Sequence, residues 1–208
     1  MRNYAVFVLL LITVLVHSGC SFLLNKTLGL KPIKKLTESR IAQTAASFKI
    51  PPENSFVLDS TWRTTFSDGL SHNNQPIKNE LHKNHLQPLQ ASYYNNAGKL
   101  VSFQINCYAG GFPNLNWTRD SIFEHFPPGP QAPLDSLLTL HEHLRYLKPL
   151  PGAIAPEAGT HYTVIIHWTR FMHRQTKLFL ETVHEHIRKK APAGTRVLFV
   201  NCDNLYVQ

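Results

Sequence analysis

The pattern that most constrains this chain lies between residues 162 and 200. Within 162–168, Val164, Ile165 and Ile166 form an unbroken β-branched run, long enough for one strand and too short for a helix. Such a strand is apolar on both faces and belongs in a sheet covered by helices. Residues 171–190 then carry Leu178, Val183 and Ile187 on a helical period and close on Arg188, Lys189 and Lys190, whose charge suits a helix C-terminus. A second apolar run follows at 196–200. Strand, helix and strand in this order imply a parallel pair joined by a crossover, and hence an α/β fold.

Upstream, residues 89–94 and 100–107 flank Asn95-Asn96-Ala97-Gly98, a hairpin signal. The spacing predicts helices over 32–48, stopped by Pro51-Pro52, and over 134–147, stopped by Pro149 and Pro151. Residues 55–66, rich in Val, Thr, Trp and Phe, read as a strand or two, and the polar stretch 67–84 as a loop. Between 108 and 133 the chain holds Ala109-Gly110-Gly111, Phe112-Pro113 and Phe126-Pro127-Pro128-Gly129-Pro130, a long irregular connection of the kind that often carries function. Alternatively it is a surface loop held by Trp117, Phe123 and Phe126. From 100 to 201 the pattern implies a largely parallel central sheet, with the hairpin added from the N-terminal side.

At the N-terminus, Arg2 precedes an apolar stretch over 4–16, then His17-Ser18-Gly19-Cys20. This is the pattern of an export signal over 1–19, and about 13 apolar residues are too short to cross a roughly 30 Å hydrocarbon core. Ser18-Gly19-Cys20 resembles the lipobox of bacterial lipoproteins, although His17 stands where an aliphatic residue is usual. The resemblance implies diacylation of Cys20, a membrane partner reached through that lipid, and a place in the cell envelope, with Ser21 suiting the periplasmic face of the outer membrane. Plain secretion is the alternative. The expected organisation is a signal at 1–19, a lipid tether with a short helix at 20–50, and one α/β domain at 51–208. Asn25 and Asn116 begin glycosylation-type tripeptides that matter only in a eukaryotic secretory pathway.

The formal net charge is +8, with twelve His. A basic balance favours anionic neighbours. The cations are nevertheless spread along the chain, with short clusters at Lys34-Lys35 and Arg188-Lys189-Lys190 and no nucleic-acid-binding motif, so no nucleic-acid partner is expected.

Residues 162–203 resemble part of the thioredoxin-like superfamily: a Val/Ile strand runs into Trp168-Thr169-Arg170-Phe171, a helix follows, and the next strand ends in Asn201-Cys202-Asp203. The resemblance implies a thioredoxin-like three-layer sandwich, incomplete or rearranged, since too little chain remains after Val200 for the family's later strands. It places the redox motif at Met172-His173-Arg174-Gln175, which holds no cysteine. Exchange chemistry needs a thiolate with a lowered pKa and a resolving thiol, so the site is redox-dead in the family's sense. In a thioredoxin-like strand order, the strands ending at Cys107 and Cys202 become neighbours, which leaves a disulfide between them and two buried free thiols as competing readings.

His141-Glu142-His143 and His184-Glu185-His186 invite a metal reading. On a helix, however, residues two apart point to opposite sides, so solvated histidines are expected and no metal or cofactor. His173, at a helix start, is expected to stay neutral. No Gly-x-Ser-x-Gly, Walker or dinucleotide-binding motif is present. The expectation is a non-catalytic, lipid-anchored binding or structural module with a place for an envelope protein partner. The alternatives are an envelope thiol-redox enzyme using Cys107 and Cys202, and a secreted hydrolase with its site in the 108–133 loop and His125 or His173.

Overall fold

In a computed structural model, residues 28–64 and 76–207 are described. Cys20 and the expected signal over 1–19 lie outside them. The apolar runs form six strands: β1 (Ser55–Leu58), β2 (Gln90–Asn95), β3 (Leu100–Ile105), β4 (Leu147–Pro149), β5 (Tyr162–Trp168) and β6 (Arg196–Asn201). They make one sheet in the order β3-β2-β5-β6-β1-β4. Both β5 and β1 run parallel to β6, whereas β2 pairs antiparallel with β3 and β5, and β4 antiparallel with β1. The sheet is thus mixed rather than largely parallel. The hairpin turn sets β2 antiparallel to β3, and β2 also lies antiparallel to β5, so the hairpin half of the sheet is antiparallel.

The helices are α1 (Glu38–Ser47), α2 (Pro76–His85), α3 (Asn106–Ala109), α4 (Leu140–Arg145) and α5 (His173–Lys190). Both faces of the sheet are covered. On one, Ile41 and Ala45 of α1, Phe179 and Val183 of α5, and Trp117 of the long connection pack on Tyr93, Val164, Ile166, Trp168 and Phe199. On the other, Trp62, Leu138, Leu140 and Leu147 pack on Phe56, Tyr94, Phe103, Ile165, Leu198 and Val200. The alternation of Val164, Ile166 and Trp168 against Ile165 along β5 sends successive side chains into the two cores, the period-two rule for a strand. Helix α1, expected in a tether ahead of the domain, is part of the first core.

Local chemistry explains where the elements depart from their expected bounds. The strand expected over 55–66 ends at Leu58, because the Asp59 carboxylate accepts the Thr61 N–H (2.7 Å) and hydroxyl (2.8 Å) and starts a helical turn that carries Trp62 inward. The helix expected from 134 begins at Leu140, where Thr139 and Glu142 form a reciprocal capping box. The stretch expected as a loop over 67–84 holds α2, which opens on Pro76, a residue suited to the first helical turn. The hairpin turn falls at 95–98 as expected, with Gly98 at φ +73°.

Candidate functional site

The parallel strands β5 and β6 end side by side, and the chain leaving each is held there by one carboxylate. Asp203 accepts the backbone N–H of Arg170 (2.6 Å) and Phe171 (3.2 Å), and Asn201 Nδ2 donates to it at 2.7 Å. Burial pushes the Asp203 carboxyl above its usual range even though these donors pull it down. The turn after β6 is thereby tied to the entry of α5, and the Cys202 N–H donates to the Trp168 carbonyl at 3.0 Å.

At this junction lie the positions expected to carry a degenerate redox motif. Met172 and Gln175 are buried, and Arg174 is exposed. The Gln175 amide nitrogen donates to the carbonyls of Leu28 (2.7 Å) and Pro113 (2.9 Å). His173 packs at a tilt against Phe48, 5.0 Å between ring centres, and burial, then Lys31, Lys177 and Arg170, hold its imidazole below its ordinary range. The expected neutrality of His173 has burial as its first cause.

A strap, residues 28–36, which turns at Gly29 and then carries no regular secondary structure, lies across this junction. The Lys31 N–H donates to the Phe171 carbonyl (2.8 Å) and Arg170 Nη2 to the Pro32 carbonyl (2.9 Å), while Leu36 and the Asn204 side chain exchange two bonds of 2.8 and 3.0 Å. Gly29 has φ +67°, and a Cβ there would sit 2.8 Å from Arg174 Cβ, so the strap fits closely only with glycine at this position. The strap therefore covers the junction between the end of β5 and the start of α5.

The two cysteines among the described residues, Cys107 and Cys202, are free thiols. Cys107 is exposed, its thiol donating to Gln87 Oε1 at 2.8 Å, and Cys202 is buried, its thiol pushed well above the ordinary range by burial and by Asp203. They were expected at the ends of neighbouring strands. Instead β2 and β5 stand between β3 and β6. Three strand spacings amount to about 14 Å, beyond the roughly 4–7 Å Cα separation that a disulfide spans.

The connection over 108–133 is folded down onto β3 and α5. The N–H groups of Gln131 and Ala132 donate to the Phe103 carbonyl, Gln104 donates to the Gly129 carbonyl, and His186 Nε2 donates to the His125 carbonyl at 2.7 Å. Trp117 packs on Phe179 at 4.2 Å between ring centres. Since His186 is thirteen residues along α5 from His173, the His125 region lies roughly 20 Å from His173 and the two do not share a site.

A buried polar network was not foreseen. In each His-Glu-His triplet one histidine is buried, contrary to the expectation of solvated rings: His143 in the first and His186 in the second. His143 Nε2 lies 2.9 Å from His167 Nε2, and His143 Nδ1 lies 3.0 Å from the Tyr94 hydroxyl. Trp62 packs against both imidazoles, tilted to His143 at 4.9 Å and edge-on to His167 at 5.8 Å between ring centres. Nearby, His85 Nε2 and the Asp135 carboxylate form a buried pair at 2.9 Å. Burial pulls His143 well below its ordinary range, and burial lowers His167 to about 3. With both rings neutral, one Nε2–H donates to the other Nε2, and the bonds can run toward Tyr94 or away from it. The histidine pair is fully sealed, so the network acts as part of a core. Its signal was legible: His143 falls three residues after Leu140 on the apolar face of α4, and His167 two residues after Ile165 along β5.

Along the first core's edge, α1 and α5 leave an open groove of about 710 Å³ between Phe48, Pro51, Leu180, His184, Val197 and Phe199. Among the described residues, no three His, Cys, Asp or Glu side chains converge in a way that could hold a metal ion. No described helix is long and apolar enough to cross a membrane. No protein-family model matches the chain, and neither a curated protein nor a solved structure matches it.

Proposed function

We propose that this chain is a lipid-anchored cell-envelope protein acting as a non-catalytic binding or structural module on a degenerate, rearranged thioredoxin-like scaffold, placed on the periplasmic face of the outer membrane. The observation that carries the reading is the junction of β5, β6 and α5. Met172 and Gln175 stand where the family keeps its thiols, both are buried, and the Gln175 amide is engaged by the carbonyls of Leu28 and Pro113. The strand arrangement supports the scaffold: β5, α5 and β6 form the strand–helix–strand unit, and the antiparallel β2–β3 hairpin, which precedes it in the chain, adds beside β5. The strap supports the anchor, because it brings the chain that leads back to Cys20 onto one edge of the sheet.

A thiol–disulfide exchange assay on the mature protein tests the non-catalytic reading. The expected result is no reduction of a disulfide substrate above the rate of free cysteine at the same thiol concentration. Turnover that disappears in a Cys107→Ser or Cys202→Ser variant contradicts it.

A further inference from the structure

The junction edge gathers positive charge. Lys34, Lys35, Arg40 and Arg174 are exposed, Lys31 and Arg170 are partly exposed, and none of the six is in a salt bridge with a carboxylate among the described residues. Their proximity is felt: burial, then Arg170 and Arg40, lower the Lys31 ammonium from its ordinary range. Two large apolar side chains stand exposed on the same edge, Ile33 at 53% beside Lys34 and Phe112 at 55% beside the Pro113 carbonyl that Gln175 holds together with Leu28. Exposed apolar side chains set among unpaired cations are the composition of surfaces that lie in a headgroup layer, the apolar tips entering and the cations facing anionic lipid. Glu38, in the first turn of α1, is the exposed acid closest in sequence to this cluster.

We propose that this strap edge is a docking surface for an anionic bilayer, which orients the tethered domain with the ends of β5 and β6 toward the membrane. The inference rests on the lipid-anchored reading. Seven residues lie between Cys20 and Leu28, and the eight Cα–Cα steps keep the start of the strap within about 30 Å of an acylated Cys20. Clustered cations held that close to a membrane meet the surface potential of anionic lipids, which decays within a Debye length of about 8 Å at physiological salt. The β2–β3 turn with Lys99 lies at the opposite edge of the sheet, since Asn95 pairs with Tyr162 at the start of β5.

The test uses the acylated protein extracted from membranes and reconstituted into vesicles of phosphatidylcholine alone or with about 30% phosphatidylglycerol. Lysine acetylation is then followed residue by residue by mass spectrometry. The expected result is that Lys31, Lys34 and Lys35 are modified at least about threefold more slowly on anionic than on neutral vesicles, that about 0.5 M salt abolishes the difference, and that Lys99 is indifferent throughout. In the triple variant Lys34→Gln, Lys35→Gln, Arg174→Gln, which alters exposed side chains only, the difference at Lys31 disappears. Equal rates on the two vesicles, or equal protection of Lys99, overturn the proposal. Failure of the protein to sediment with neutral vesicles overturns the lipid anchor instead, and salt-sensitive binding to the anionic vesicles still decides the docking surface.

Discussion

Acidification should destabilise this fold through its sealed histidines. An unfolded imidazole titrates near 6.5, whereas His167 in the folded chain is lowered to about 3 by burial. A histidine whose folded pKa is depressed binds its proton in the unfolded state first, so stability is complete above about pH 7 and is lost as pH falls through 6.5 toward the folded value. At pH 5 the unfolded ring is protonated by about thirty to one and the folded ring hardly at all, which amounts to about 2 kcal/mol from His167 alone. Any folded pKa below about 4 gives nearly the same figure. His143 is shifted in the same direction and adds to it. Against a total stability of roughly 5–15 kcal/mol, this is a large loss. Other groups contribute too: His82, His173, His184 and His186 have the same sign, and Asp203, whose carboxyl burial raises, has the opposite sign. The readout is therefore a difference. Urea unfolding at pH 7.5 and 5.0 is compared between the natural chain and a His143→Leu, His167→Leu double variant. The natural chain should lose at least about 2 kcal/mol more than the variant on acidification. Equal losses in the two proteins would refute the reasoning.

Other outcomes follow from the same geometry. Asp203→Ala leaves the Arg170 and Phe171 N–H groups without their acceptor and should cost about 2–4 kcal/mol, measured by urea unfolding at pH 7.5. Gly29→Val forces a left-handed residue to carry a Cβ against Arg174 and should loosen the strap by about 1–3 kcal/mol, seen as faster proteolytic cleavage within residues 28–36 while the rest of the domain stays resistant. With iodoacetamide under native conditions Cys107 should label and Cys202 should not, until denaturant exposes it; labelling of both at similar rates would contradict the burial of Cys202.

The β5–α5–β6 unit was readable because the apolar run at Val164-Ile165-Ile166 and the period of α5 are local signals, and the β2–β3 hairpin because its turn residues announce themselves. The sheet order was not, since whether β2 lies beside β5 depends on pairings between distant segments that no local pattern encodes. That order is what separates Cys107 from Cys202. The candidate site was legible by its negative content: Met172 and Gln175 could be seen to lack thiols. The partner of Gln175 could not be seen, because Leu28 lies 147 residues away and belongs to a stretch without periodicity. The histidine network does not follow from the His-Glu-His spacing, which the helix splits onto two faces; it follows from the apolar positions that His143 and His167 hold on α4 and β5, and only the tertiary fold brings those two together.

The proposed lipid-anchored, non-catalytic role requires an acylated Cys20 ahead of a domain without redox thiols, and intact mass of the protein extracted from membranes, taken before and after alkylation in denaturant without reductant, tests both at once. The expected result is a chain beginning at Cys20 with the added mass of its acyl groups and two further thiols, Cys107 and Cys202, alkylated without prior reduction. An unacylated chain, or one whose thiols react only after a reductant is supplied, would contradict it.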